Sequence, residues 1–309
     1  MSDLGGELDA LASETGFSGV VRIDRNDRIE LAKAYGLAHR GFEIPNELDT
    51  RFGIASGVKG FTALAVMSLI EEGVLELSTA ARSVLGGDLP LIDDRVTVEQ
   101  LLAHRSGIGD YLDEDAGWEP EDYVMPVPVH ELAATEDYLA VLDGQPSKFA
   151  PGERFAYCNA GYVVLALIAE RTSGVPFHEL VAQRVCRPAG LTDTEFLRSD
   201  QLPGRTAVGY VKVEGEWRTN VFHLPVRGNG DGGIYSTAPD MGRSGGRSSQ
   251  VGSSPRSGSR RWCAPAATRR HTRSATGSAS GSTRRATQSS WKGATPECRF
   301  VPSTTHRRT

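Results

Sequence analysis

The chain has 309 residues, a formal net charge of −5 and 39% hydrophobic residues, enough for a core in one large domain or two modest ones. No run approaches the roughly 18 apolar residues of a membrane span, and the acidic opening MSDLGGELDALAS lacks a signal peptide's apolar core, so we expect no membrane partner and a cytoplasmic location. The net charge hides two unlike parts: of 34 Lys+Arg and 39 Asp+Glu, 14 basic residues but one acid, Glu297, lie from Gly242 onward, where neither Leu nor Ile occurs.

In chain order, FSGVVRIDR (17–25) and IELAKAYGLA (29–38) predict an antiparallel hairpin turning at Asn26-Asp27. RFGIASGVKGFTALAVMSLIEEG (51–73) then reads as a short strand entering a helix that is apolar almost all round, expected at the centre of a domain and stopped by Gly73. Ser56 and Lys59 stand at its mouth, three residues apart and so on one face. An ammonium at the entrance of a buried helix is costly unless a partner or cleft accommodates it. A lysine made neutral by desolvation can take a serine proton and turn the hydroxyl into a nucleophile. An N-capping serine with a surface lysine one turn on is the plainer alternative. Ser289 and Lys292 repeat the spacing, but without a preceding strand or an apolar helix, and carry no weight.

VTVEQLLAHRSGI (96–108) predicts a helix opened by a capping box of Thr97 and Gln100. Residues 110–123 hold seven acids beside Tyr111 and Trp118 and read as a solvated, mobile loop, with the border of a cleft as the alternative. In FAPGERFAYCNAGYVVLALIAERTSG (149–174), Pro151-Gly152 marks a turn and an apolar helix runs from about Gly161 to Gly174. Tyr157 and Asn159, on the loop between them, form a candidate pair: a phenol whose pKa is lowered by an ammonium relays protons, and an amide holds both a lysine and a substrate carbonyl. A half-buried tyrosine with a bonded hydroxyl and a helix-capping asparagine are the alternative. His104, beside a helix end, reads as structural. The four cysteines show neither metal-ligand spacing nor disulfide density and read as reduced.

Four blocks now stand in order: Ser56-Gly57-Val58-Lys59, the run from Leu101 to Ile108, Pro151-Gly152 with Tyr157-Cys158-Asn159-Ala160-Gly161-Tyr162, and the run from Gly232 to Asp240. Together they resemble the serine hydrolases of the β-lactamase-related family over about residues 10–241, a group of class C β-lactamases, penicillin-binding DD-peptidases and esterases. The resemblance implies an α+β fold, an antiparallel β-sheet flanked by helices plus a mostly helical domain, with the active site in the cleft between them. It implies Ser56 as the acylated nucleophile, Lys59 as its proton acceptor, Tyr157 as a proton shuttle and Asn159 as a substrate-orienting group. The substrate it implies is a small ester, amide or β-lactam, with no cofactor and no metal.

The family's third motif, Lys- or His-x-Gly on a late strand, has no counterpart near the C-terminus, so the sheet is expected to be incomplete and catalysis impaired or absent is the competing reading. The expected division is a truncated hydrolase domain, 1–241, and a basic Arg/Ser/Gly-rich tail, 242–309, with the composition of disorder. The abrupt switch reads as a shifted reading frame, checked by whether coding DNA around codons 235–250 holds a frame that restores apolar strands. A natural tail that binds a polyanion is the alternative, but no nucleic-acid module accompanies it and a nucleic-acid partner is not expected.

Overall fold

A computed structural model describes residues 3–26, 28–117 and 123–243. Trp118 and everything expected of residues 244–309 lie outside the described residues.

Helix α1 (Leu4–Thr15) is capped by the Asp3 carboxylate and closed by Gly16 in the left-handed region. The hairpin follows: β1 (Gly19–Arg25) pairs antiparallel with β2 (Arg28–Tyr35), from Gly19↔Tyr35 to Arg25↔Arg28, with an irregularity between Ile23 and Asp24. Asn26 enters its turn at φ 51°, a conformation asparagine tolerates better than most residues. β3 (Leu37–His39) pairs with β4 (Ile44–Pro45). Of the later strands, β5 (Phe52–Gly53), β6 (Tyr210–Val213), β7 (Glu216–Thr219) and β8 (Tyr235–Ser236), β5 pairs with β8 and β6 with β7. Among the described residues the expected sheet is therefore a set of two-stranded antiparallel pieces.

The helices are α2 (Val58–Glu71), α3 (Ala81–Leu85), α4 (Val98–Leu102), α5 (Leu139–Leu142), α6 (Asn159–Ser173), α7 (Phe177–Val181) and α8 (Arg187–Ala189). α4 opens with the predicted capping box: the Gln100 N–H donates to Thr97 Oγ1 and the Thr97 N–H to Gln100 Oε1. The main core gathers around α6, which α2, α3, α4 and α7 enclose. Every residue of α6 from Asn159 to Ala169 is buried, and each fully buried Leu or Ile there contributes about 1.5–3 kcal/mol of transfer free energy.

This corrects the expectation that the helix after Ser56 is the central one. α2 buries Val58, Phe61, Ala65, Val66 and Leu69 but leaves Gly60, Leu64 and Glu71 exposed, Leu64 by 53%. Those three recur at helical spacing and form one outward face. α6 is the helix closed in on all sides, because four neighbours surround it. No helix among the described residues is long and apolar enough to cross a membrane.

Candidate active site

Five separate segments meet at the mouth of α2. Ser56 lies in a 3-10 turn, Ala55–Gly57, between β5 and α2, and is exposed. The turn is tight enough to put Ala55 at φ 45°. A left-handed backbone costs a non-glycine residue about 1–2 kcal/mol, and surrounding contacts must hold it. Here the Ile54 N–H donates to the Ile234 carbonyl at 2.9 Å, and the Gly57 N–H folds back to the Ile54 carbonyl at 2.8 Å.

Lys59, one turn on, is 7% exposed. Its Nζ lies 3.2 Å from Ser56 Oγ, 2.7 Å from Asn159 Oδ1 and 2.6 Å from the Asp231 carbonyl oxygen. The last two can only accept. A neutral amine has two protons and one lone pair, so when both protons go to Asn159 and Asp231 the lone pair is left facing Ser56 Oγ. Burial lowers the Lys59 pKa from its usual value, while the negative charges of Asp231, Glu114 and Asp110 pull it back up.

Tyr157 is half-buried, with Lys59 Nζ 4.8 Å from its ring centroid. The expectation that an ammonium lowers its pKa fails. Burial pushes the phenol well above 10, the Ser56 hydroxyl opposes this only in part, and the negative charges of Glu114 and Asp231 add to the rise. A buried pocket with nearby carboxylates disfavours phenolate, so Tyr157 keeps its proton and can act as a donor. His104 holds the ring in place: the two stack with centroids 4.7 Å apart, and His104 Nδ1 accepts the Cys158 N–H at 3.1 Å. Its imidazole therefore carries its proton on the other nitrogen. His104 follows the end of α4 at φ 54° and packs on the tyrosine loop without capping the helix.

Asn159 is the first residue of α6, two positions before the predicted start. Its amide is fully committed: Oδ1 faces Lys59, and Nδ2 donates to the Leu112 carbonyl at 2.8 Å and to Glu114 Oε1 at 3.2 Å. The Asp110 carboxylate accepts the N–H groups of Asn159, Ala160 and Leu112. It thus serves donors at the start of α6 that the helix itself cannot satisfy.

Asp110, Tyr111, Glu114 and Asp231 are not singled out by the sequence. Asp110 and Tyr111 are buried at 9% and 8% exposure, where a solvated loop was expected. The reason is packing from elsewhere in the chain: Tyr111 Oη donates to Asp231 Oδ2 at 2.6 Å, which ties the loop to the segment 228–233. That segment, Gly-Asn-Gly-Asp-Gly-Gly, was the available signal, an acid set among glycines next to the Ile234-Tyr235-Ser236 block. A Cβ on Gly230 would lie 2.2 Å from the Tyr162 carbonyl oxygen, so the backbone can press onto α6 only with glycine there, while Gly233, at φ +91°, lets the segment fold back against Gly228. The same approach lets Thr62 Oγ1 donate to the Gly230 carbonyl at 2.7 Å. Among the described residues no group of three His, Cys, Asp or Glu side chains is placed to hold a metal ion. Cys158 and Cys186 are free and buried.

The four residues expected at the site, Ser56, Lys59, Tyr157 and Asn159, are thus brought together. The family model for β-lactamase matches residues 7–294. A D-aminopeptidase of Brucella anthropi is 30% identical over 73% of this chain and 41% of its own length, and the esterase EstB of Burkholderia gladioli is 33% identical over 62% and 49%. The crystal structure of a penicillin-binding protein from Bacillus halodurans superposes with a TM-score of 0.72 at 40% identity, over 76% of this chain and 72% of that one. The chain spans about half the length of the curated relatives it matches. With the family model covering most of the chain and a solved structure of a penicillin-binding protein superposing at 40% identity, the protein belongs to the β-lactamase family of serine hydrolases.

Proposed function

We propose that this chain is a serine acyl-transfer hydrolase acting on a small ester, amide or β-lactam. The observation that carries the reading is the pair of obligate acceptors at Lys59, which leaves the amine lone pair for Ser56. Lys59 takes the hydroxyl proton as Ser56 Oγ bonds to the substrate carbonyl carbon. The Ser56 N–H, at a helix entrance, stabilises the oxyanion. The bond to the leaving group then breaks, and Tyr157 gives that group its proton and recovers one from Lys59. Water attacks the acyl-enzyme and releases Ser56. Asn159 positions Lys59 and, once one amide proton is freed, the substrate carbonyl. A cytoplasmic location remains part of this reading.

A second reading is a catalytically impaired relic that acylates and turns over poorly. It is favoured by the lack of a late Lys- or His-x-Gly, because loss of one oxyanion donor costs about 10²–10³ in rate. Intact-mass spectrometry after exposure to a penicillin or a short-chain activated ester, with Ser56→Ala as control, tests both. An adduct that decays is the hydrolase, and a persistent adduct is the relic. A folded protein that gains no Ser56-dependent mass refutes both.

A further inference from the structure

The segment that brings the Asp231 carbonyl to Lys59 is glycine at four of the six positions 228–233. Such a backbone turns freely and does not fix its own carbonyls. The two acceptors that leave the Lys59 lone pair facing Ser56 are therefore held in different ways. Asn159 is set by the start of α6 and by the bonds of its amide to Leu112 and Glu114. On the Asp231 side, the Tyr111 hydroxyl fixes the carboxylate but not the main-chain carbonyl, which lies between Gly230 and Gly232. That carbonyl needs an anchor of its own.

Thr62 supplies it. It lies on α2 one turn beyond Lys59, fully buried, and its Oγ1 donates to the Gly230 carbonyl at 2.7 Å. A threonine inside a helix commonly gives its proton to the carbonyl four residues back, here Val58, but that oxygen is farther away, at 3.3 Å. The hydroxyl has one proton, and the shorter distance assigns it to Gly230. Lys59 and Thr62, three residues apart on one face of α2, thus grip two consecutive carbonyls, Asp231 and Gly230. Among the described residues the buried Gly230 carbonyl accepts from no other donor. Because the anchor and the amine share one helix, the acceptor stays in register with the nitrogen that uses it.

We infer that Thr62 is a positioning residue for the proton transfer from Ser56: it fixes the peptide between Gly230 and Asp231, so that the Asp231 carbonyl takes one amine proton and the lone pair stays on Ser56 Oγ. This deepens the acyl-transfer reading and rests on it. Thr62 touches no reacting atom, and its hydroxyl neither gains nor loses a proton in the reaction. Without that hydroxyl the amine turns with a loose carbonyl, and a misplacement of about 1 Å costs about 10- to 100-fold in rate. Substrate binding is untouched, since Thr62 lies one turn deeper in the core than Lys59.

The test uses two pairs of full-length proteins that differ by this hydroxyl: wild type against Thr62→Val, and Thr62→Ser against Thr62→Ala. Time-resolved intact-mass spectrometry at several concentrations of 4-nitrophenyl acetate, well below every melting temperature, gives the limiting rate of Ser56 acylation and the ester concentration at half that rate. Within each pair the protein with the hydroxyl should acylate about 10- to 100-fold faster at the limit, with the half-saturating concentration unchanged. Thr62→Ser should stay near the wild type although it loses a buried methyl. A hydroxyl that merely stabilised the fold would leave the limiting rates of the folded proteins equal. Equal rates within the pairs, a loss in Thr62→Ser as large as in Thr62→Val, or a change confined to the half-saturating concentration overturns the assignment. Should Thr62→Val not fold, the Thr62→Ser and Thr62→Ala pair decides the question by itself. Absence of any Ser56 adduct in the wild type overturns the acyl-transfer reading and the role of Thr62 with it, whereas adducts that form equally fast in all four proteins overturn the role of Thr62 alone.

Discussion

Replacing Tyr111 with phenylalanine removes one oxygen and leaves the ring in its buried place. The oxygen donates at 2.6 Å to Asp231, itself 5% exposed. A hydrogen bond to a charged acceptor is worth about 1.5–3 kcal/mol, and a buried carboxylate deprived of its donor bears most of that cost. At about 2–4 °C per kcal/mol for a domain of this size, Tyr111→Phe should lower the melting temperature by roughly 3–12 °C.

The loss should also depend on pH, in a direction that follows from Asp231. Burial raises its pKa above the usual carboxylate value, while Lys59 and the Tyr111 hydroxyl pull it down. Without the hydroxyl the folded pKa rises further. A carboxylate whose folded pKa exceeds its unfolded one loses stability as pH rises through the folded value, so the variant should fall progressively behind the wild type toward neutral pH. In acid, with Asp231 protonated in both, the gap should shrink to that of a neutral hydrogen bond, about 1 kcal/mol. Urea midpoints at several pH values measure this. A gap below about 0.5 kcal/mol, or one that does not change with pH, would refute the claim that this bond anchors the loop.

Gly230→Ala should be worse than its single methyl suggests, because the added carbon meets the Tyr162 carbonyl at 2.2 Å and the displaced segment carries the Asp231 carbonyl away from Lys59. We expect slower acylation of Ser56 by an activated ester together with a lower melting temperature; unchanged labelling would mean that this carbonyl does not orient the amine. His104 is held neutral, its pKa lowered to about 4 by burial and by Lys59. Its folded pKa lies below the unfolded value of about 6.5, so folding should lose stability as pH falls from about 6.5 to 4 and no more below that. With its partial exposure the effect should be about 2 kcal/mol. His104→Gln should lack that part of the acid slope, and a parallel pH profile for the two proteins would contradict it.

The sequence made legible what depends on local pattern. The hairpin, the capping box at Thr97 and the two apolar helices follow from spacing and turn chemistry, and Ser56, Lys59, Tyr157 and Asn159 stand out because polar residues sit at the mouths of apolar helices. What stayed hidden depends on long-range approach. Nothing local says that Tyr111, in an acid-rich run, reaches Asp231 across 120 residues, or that α6 and not α2 is enclosed on every side. The Tyr157 pKa departs from expectation for the same reason: an ammonium can be inferred from a nearby motif, but the burial and the carboxylates that outweigh it come from other segments.

The acids gathered around Lys59 make chemical sense once both of its protonation states are considered. Acylation needs the amine neutral at the start and charged a moment later, so a site that strongly favoured either form would slow one half of the exchange. Burial favours the neutral form, while Asp231, Glu114 and Asp110 favour the charged one. The two pulls oppose each other on one nitrogen, which brings the two states closer in free energy than burial alone would allow. Tyr157 feels the same surroundings with the opposite result, since burial and negative neighbours both hold its proton in place. One environment therefore gives an amine able to accept a proton next to a phenol that keeps one to give. That division of labour needs no separate tuning of the two side chains, because a base and an acid respond with opposite sign to burial and with the same sign to nearby carboxylates.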